Sequence, residues 1–262
     1  MTEIHPTAIV AREAEIGEGV VVKPFSIIEP DVVIGPGCSI GPFAVIRSGT
    51  RIGAGTQVHT GAVLGEPPQD LKYKGEESYL IIGERNLIRE FVTIHRATGE
   101  GNATLIGDDN MLMAYSHVGH NCRIGSGCMI ANSAGISGHC VIEDGAVIGG
   151  MVGIHQYVTI GTLAMVGGMS RITRDVPPYC LVEGNPAKPK GINVRGLERH
   201  GFSSEAISGL KKAFRLIFRS EYNVSDAIRI LESEGRVTDE VRYLIDFLRR
   251  VAEGVHGRQA NP

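Results

Sequence analysis

Aliphatic side chains recur at every sixth position over most of this chain. From Ile106 to Ile172, twelve successive positions at this spacing carry Ile, Leu or Val, and eleven more lie between Ile4 and Leu64. Neither an α-helix nor a flat β-strand has a period of six, so the pattern indicates a solenoid built from short repeats. A six-residue unit is too short for a helix, but it fits one short strand and a corner with the aliphatic side chain pointing inward.

Three such units make a triangular coil of 18 residues, and stacked coils pair as parallel strands about 4.8 Å apart. The pattern therefore predicts a mainly β protein, a parallel β-helix of roughly nine or ten coils. It breaks near residues 66–79 and again near 97–104. We expect both interruptions to be loops that leave the prism, and long loops on a regular scaffold often carry function.

The period ends after residues 175–178, and the proline-rich residues 185–191 predict a stiff linker. Beyond it, helical spacing of apolar residues and polar N-terminal signals predict helices beginning near Ser204, Asn223 and Thr238. We expect a β-helix domain over residues 1–190 and a small α-helical domain over 191–262. The helical domain should cover the open end of the solenoid, and its last residues, 257–262, should be disordered.

Composition and charge narrow the class of protein further. The 35 glycines, the absence of Trp and a hydrophobic fraction of 42% suit a thin, repetitive core. No apolar run approaches the roughly 20 residues that span a bilayer, and the N-terminus does not resemble a signal peptide, so we expect a cytoplasmic protein without an integral membrane segment. Residues 1–187 carry a net charge of −7 and residues 188–262 one of +4. The basic tail could attract an acidic partner, and nothing in the sequence predicts a nucleic-acid ligand.

Polar, titratable side chains cluster within the long regular run. Residues 18 apart should stack on one edge of the prism, which brings residues of three successive coils together: His117, His120, Asn121, Gly138, His139, His155 and Gln156. The repeat does not require polar residues at these positions, whereas the isolated His5 and His59 fit exposed corners. The cluster is therefore the candidate site.

Two chemistries could use this cluster. Three histidines could bind zinc, for which imidazole is a common ligand. Alternatively, one neutral histidine could act as a general base on a hydroxyl while a main-chain N–H stabilises an oxyanion. Gly138, which should stack directly on His120, would let a carbonyl approach the main chain. The sequence offers no Ser-His-Asp or Cys-His arrangement at credible spacing, which argues against a covalent acyl-enzyme.

Several motifs together resemble the acyl-[acyl-carrier-protein]–UDP-N-acetylglucosamine O-acyltransferase family, which catalyses the first step of lipid A biosynthesis. The similarity covers essentially the whole chain. Besides the hexapeptide repeats it includes Pro67 to Tyr73, Arg89 to Arg96, His117-x-x-His120, Gly149-Gly150-Met151 with His155-Gln156, Val166-Gly167-Gly168, Asp175 to Tyr179, and Gly191 to Leu197.

The resemblance implies a left-handed coil and a homotrimer with active sites between subunits. It implies that His120 is the general base that takes the proton of the glucosamine 3-hydroxyl, that this oxygen attacks the thioester of a (3R)-3-hydroxyacyl carrier protein, and that Gly138 N–H stabilises the oxyanion. No cofactor is implied. Further positions match the family's sites: His117, His139, His155, Gln156, Asn193 and Arg199 near UDP-N-acetylglucosamine, Asp70 and Lys72 reaching a neighbouring subunit's site, and Gly168 limiting acyl length.

Two residues depart from the family pattern. Asn121 stands where an aspartate is common; it can accept a hydrogen bond but supplies no charge to an imidazolium. Arg195 stands where an acidic nucleotide contact is expected. The alternatives to O-acyl transfer are N-acyl transfer to UDP-3-O-acylglucosamine, a zinc enzyme of the carbonic anhydrase type, and a scaffold without catalytic activity.

Overall fold

A computed structural model describes residues 1–233 and 237–254, so the predicted disorder of residues 257–262 lies outside the described residues. Its strands and helices are numbered in chain order. The strands of the coils are β1 (Glu3–Ile4), β2 (Ile9–Val10), β3 (Glu15–Ile16), β4 (Val21–Val22), β5 (Ile27–Ile28), β6 (Val33–Ile34), β7 (Ser39–Ile40), β8 (Val45–Ile46), β9 (Thr50–Ile52), β10 (Gln57–Val58), β11 (Val63–Glu66), β12 (Tyr79–Ile82), β13 (Leu87–Ile88), β14 (Thr93–His95), β15 (Ala103–Ile106), β16 (Met111–Leu112), β17 (His117–Val118), β18 (Arg123–Ile124), β19 (Met129–Ile130), β20 (Gly135–Ile136), β21 (Val141–Ile142), β22 (Val147–Ile148), β23 (Gly153–Ile154), β24 (Thr159–Ile160), β25 (Met165–Val166) and β26 (Arg171–Ile172).

Every third strand pairs in parallel, which gives the prism three faces. Face A begins with β1, face B with β2 and face C with β3, and the coils wind as a left-handed parallel β-helix. Most of the sixth-position aliphatic residues from Val22 onward are buried and form one continuous core. The aliphatic residue at every sixth position is therefore the residue of each short strand that faces inward.

The corners use a backbone conformation that most residues avoid. Three residues after an inward-facing aliphatic, the chain commonly has a positive φ, as at Asn121 (59°), His139 (61°) and Tyr157 (68°). This conformation costs a residue with a side chain roughly 1–2 kcal/mol. It lets the corner turn within a few residues and present its side chains outward.

The two interruptions are loops at the corner between faces B and C. The first joins β11 to β12 through residues 67–78, and the second joins β14 to β15 through residues 96–102. Because both leave the prism at the same corner, they lie on the edge that also carries the predicted histidine cluster.

The predicted linker at residues 185–191 is wrong. Two strands, β27 (Cys180–Gly184) and β28 (Ala187–Ile192), form an antiparallel hairpin there, and β27 also pairs with β25 on face A. Pro189 lies on β28, the outermost strand of the sheet, where a missing N–H is tolerated.

Four helices follow the hairpin: α1 (Val194–Arg199), α2 (Ser204–Arg219), α3 (Val224–Ser233) and α4 (Asp239–Ala252). Ser203 and Thr238 cap α2 and α4 through their hydroxyl groups, as the sequence signals indicated. Phe214 of α2 reaches the core of the prism, so the helices cover its last coil. Within the described helices, none has the length and apolar composition to cross a membrane.

Candidate active site

The 18-residue register places the predicted cluster along the corner between faces B and C. His117 pairs with Gly135, and Gly135 pairs with Gly153 on the next coil. At the corner itself, the N–H of His139 donates to the carbonyl of His120 at 2.9 Å. The stacking predicted from sequence spacing is confirmed for these coils.

His120 has a defined protonation pattern because of its neighbour in sequence. Nδ1 of His120 lies 2.8 Å from Oδ1 of Asn121. A carbonyl oxygen can only accept a hydrogen bond, so Nδ1 carries the proton and the lone pair of the neutral ring is on Nε2. An imidazole in this form can take a proton at Nε2.

Gly138 lies directly against the basic nitrogen of His120. A Cβ at position 138 would lie 2.6 Å from Nε2, which is closer than real carbon atoms approach. The N–H of Gly138 has no main-chain acceptor within the described part of the chain. A free main-chain donor therefore belongs to the glycine that lies against the His120 ring, and a reaction that forms an oxyanion can use such a donor.

His117 and His95 form a more buried part of the site. Nδ1 of His117 lies 2.7 Å from the Thr93 hydroxyl, and its ring meets that of His95 edge to face at 5.1 Å. Burial, followed by the charges of His95 and His120, lowers the pKa of His117 to about 4. Burial also lowers the pKa of His95. Both rings are therefore neutral near pH 7.

Sequence reasoning missed His95 as a site residue. Across the second loop, Thr93 pairs with His117, a separation of 24 residues rather than 18, because the loop adds residues to that coil. The expectation that residues 18 apart in sequence stack on one edge therefore did not place His95 in the cluster. The signal was present in the motif from Arg89 to Arg96, which includes it.

His139 connects the corner to the first loop. Its ring stacks on Tyr157 at 4.7 Å and meets His120 edge to face at 5.1 Å. Burial and then the neighbouring His120 lower the pKa of His139, while Asp70 raises it and Lys72 lowers it. These two charges thus act on His139 of the same chain, and the contact of Asp70 and Lys72 with a neighbouring subunit's site stays a prediction.

A groove of about 530 Å³ runs along this corner and onto face B. His117, His120 and Gly138 line it, and His155 and Gln156 extend it on the next coil. Gln69 of the first loop forms part of the same wall.

Three predicted residues lie away from this groove. Asn193 caps α1: its Oδ1 accepts from Gly196 N–H at 3.1 Å and its Nδ2 donates to the Leu163 carbonyl at 2.9 Å, at the corner between faces C and A. Arg199 is exposed in the last turn of α1, and Arg195 is exposed in the same helix. Gly168 is exposed at the corner between faces A and B. These residues therefore do not line the groove of the same chain.

Metal ligation gains no support from the geometry. Among residues 1–233 and 237–254, no group of three or more His, Cys, Asp or Glu side chains is placed to hold a metal ion. The histidines instead contact hydroxyl, amide and aromatic groups.

Family models match two parts of the chain. The model described as Udp N-acetylglucosamine O-acyltransferase, domain 2, matches residues 175–256. The bacterial transferase hexapeptide model, which describes six repeats, matches residues 13–48, 31–66 and 103–138.

Relatives and solved structures agree with the family models. An acyl-[acyl-carrier-protein]–UDP-N-acetylglucosamine O-acyltransferase from Paraburkholderia phymatum is 46% identical, over 97% of this chain and 99% of the relative. One from Halorhodospira halophila is 47% identical over the same shares. A crystal structure of a UDP-N-acetylglucosamine acyltransferase from Bacteroides fragilis matches with a TM-score of 0.91 and 44% identity, covering 94% of this chain and 96% of that one.

Proposed function

This chain belongs to the acyl-[acyl-carrier-protein]–UDP-N-acetylglucosamine O-acyltransferase family, and on that basis we propose that it transfers a (3R)-3-hydroxyacyl group from acyl carrier protein to the 3-hydroxyl of UDP-N-acetylglucosamine. This is the first step of lipid A biosynthesis. The similarity to enzymes named for this reaction extends over 97% of the chain, including the loops and the helical tail.

In the proposed reaction, His120 acts as the general base and no covalent enzyme intermediate forms. Nε2 takes the proton of the 3-hydroxyl as that oxygen attacks the thioester carbonyl carbon. The negative charge that develops on the carbonyl oxygen accepts a hydrogen bond from Gly138 N–H. Collapse of the tetrahedral intermediate breaks the C–S bond, and the imidazolium of His120 returns its proton to the departing sulfur.

One observation carries this assignment of roles: Gly138, whose N–H has no main-chain acceptor in the described chain, lies against Nε2 of His120. A Cβ on Gly138 would come within 2.6 Å of Nε2, so only a glycine fits against this nitrogen. Asn121 supports the role by holding the proton on Nδ1 at 2.8 Å. The neighbouring His117 is a poorer candidate, because burial depresses its pKa to about 4 and so weakens it as a base.

A homotrimer would account for the predicted residues that lie away from the groove. Asn193 and Arg199 sit near the corner between faces C and A, whereas the histidines sit at the corner between faces B and C. When copies of a prism pack side by side, one corner of each can face a different corner of the next. The proposal is that these residues of one copy contact the UDP-sugar bound at the next copy's histidines.

The helical region is the proposed docking surface for the donor protein. Residues 188–262 carry a net charge of +4, against −7 for the rest of the chain. Acyl carrier protein is strongly acidic, so electrostatic attraction would bring it to this end of the prism. The expectations of a cytoplasmic location and of no cofactor remain parts of this proposal.

Acyl transfer from 3-hydroxyacyl carrier proteins to three acceptors tests the reaction: UDP-N-acetylglucosamine, its 3-amino analogue, and UDP-3-O-acylglucosamine. The proposal expects an O-acylated product from UDP-N-acetylglucosamine, with His120→Ala as the background reaction. Transfer only to the 2-amino group of UDP-3-O-acylglucosamine would show that the chain is an N-acyltransferase and would reject the proposed reaction. Transfer only to the 3-amino analogue would show that this analogue, and not UDP-N-acetylglucosamine, is the acceptor.

A further inference from the structure

The second loop, residues 96–102, folds against the partner of the proposed base. Thr98 contacts the amide of Asn121 through three groups. Its main-chain N–H and its hydroxyl lie 2.9 and 3.0 Å from Oδ1 of Asn121, and its carbonyl oxygen lies 3.1 Å from Nδ2. All three contacts cross between residues 23 positions apart in sequence.

These contacts decide which way the Asn121 amide points. A main-chain N–H can only donate, and a carbonyl can only accept, so Oδ1 must face the N–H of Thr98 and Nδ2 must face its carbonyl. The same Oδ1 is the atom that lies 2.8 Å from Nδ1 of His120. Turning the amide over would set donor against donor and acceptor against acceptor at Thr98, and would present Nδ2 to His120.

Thr98 is itself held in place from two sides. Nδ2 of Asn102 donates to the Thr98 carbonyl at 2.9 Å. The next residue, Gly99, donates its N–H at 2.9 Å to Oε1 of Glu76 in the first loop. Main-chain donors, Gly99 first and Lys74 second, lower the pKa of the Glu76 carboxyl, so it is a charged acceptor near neutral pH. Gly99 has a φ of 86°, which favours glycine.

We propose that Thr98 is a positioning residue for the base: the loop at residues 96–102 clamps the Asn121 amide in one orientation, and this fixes the proton of His120 on Nδ1 and the lone pair on Nε2. The inference rests on the proposed function of His120. Thr98 acts through Asn121, and it need not touch substrate. It also gives the departure from the family pattern a role, since the Nδ2 of Asn121 satisfies the Thr98 carbonyl, which a carboxylate oxygen could not do.

A matched pair of glycine variants tests the clamp. A Cβ at Gly99 would collide with Nδ2 of Asn102, the group that donates to the Thr98 carbonyl. Gly101 lies in the same loop with a similar φ of 70°, but a Cβ there meets no atom of the described chain within 4 Å. Gly99→Ala and Gly101→Ala therefore share the backbone strain, and only the first disturbs Thr98.

Two readouts separate positioning from a loss of loop structure. Gly99→Ala should lower kcat roughly tenfold more than Gly101→Ala, with the KM of each substrate changed by less than about twofold. Isotope-edited NMR of the imidazole nitrogens, assigned by comparison with His120→Ala, should show the proton of wild-type His120 on Nδ1 and a second tautomer in Gly99→Ala.

Equal kcat values for the two alanine variants, or a wild-type His120 protonated on Nε2, would overturn the clamp. The NMR measurement needs no acyl transfer, so it tests Thr98 even if His120 proves not to be the base. Conversely, a His120→Ala enzyme with wild-type activity would reject His120 as the base, while the tautomer result still decides the clamp.

Discussion

His120 and Gly138 stack on successive coils so closely that only a hydrogen atom fits on the Cα of residue 138. A methyl group there would lie 2.6 Å from Nε2 of His120 and would push the ring away from its place against Gly138. The proposed base and the proposed oxyanion donor therefore depend on the same missing side chain.

Gly138→Ala should lower kcat by about 10²-fold, because it displaces the base and blocks the N–H at once. We expect the folded state to persist, since the nearest atoms are those of the imidazole side chain. Steady-state kinetics and circular dichroism check both parts. Gly191→Ala is the control, as a Cβ at that position has open space in the described structure. A Gly138→Ala enzyme with wild-type kcat would contradict this arrangement.

His117→Gln should flatten the acid dependence of stability. Burial lowers the pKa of His117 from 6.5 to about 4, so the unfolded chain binds this proton more readily than the folded one. The free energy of unfolding should therefore fall as the pH drops from about 6.5 to about 4, with this group contributing roughly 2–3 kcal/mol. Chemical denaturation of both proteins across this range measures it. Identical slopes would mean that His117 does not carry the effect.

Tyr243→Phe should lower the free energy of unfolding by about 1–2 kcal/mol. The hydroxyl of Tyr243 in α4 donates to Oε2 of Glu143 at 2.7 Å, and the same oxygen accepts the N–H of Thr162 at 2.8 Å. This network ties the helices to face C. Tyr222→Phe, at an exposed position, should change stability little. Equal effects of the two substitutions on the free energy of unfolding, measured by urea denaturation, would show that this network does not stabilise the folded state.

Gly168→Met should shift the preferred donor to a shorter acyl chain. The resemblance assigns this position to acyl length, and in the structure Gly168 is exposed next to Gly150. A long side chain would occupy space that a longer acyl chain needs, so kcat/KM should fall most for the longest 3-hydroxyacyl carrier protein. A uniform loss of kcat/KM across donor lengths would show that position 168 does not determine the preferred acyl length.

The regular part of this molecule was predictable because one physical requirement repeats. Each short strand must bury one aliphatic side chain, so the period of six appears directly in the sequence, and the 18-residue coil follows from it. The same rule placed Gly138 on His120. It failed at His95 because the second loop lengthens that coil, which changes the pairing of Thr93 with His117 to 24 residues.

Elsewhere, local composition competed with tertiary contacts. Prolines at residues 186 and 189 indicated a linker, but the segment forms the hairpin of β27 and β28: Pro186 lies in its turn, and Pro189 lies on the outermost strand, which tolerates a proline. The short helix α1 has only six residues and contains Gly196, so it carried little periodic signal. The clamp at Thr98 depends on loop geometry, for which the sequence offers no repeat to read.

The most direct test of the central claim is the rate of acyl transfer by His120→Ala with UDP-N-acetylglucosamine and a 3-hydroxyacyl carrier protein, measured with and without added imidazole. If His120 is the general base, kcat should fall by ~10²–10⁴-fold. Free imidazole should then restore part of the lost rate in a concentration-dependent way, while having no effect on the wild-type enzyme. A variant that retains kcat within about threefold of wild type would contradict the account.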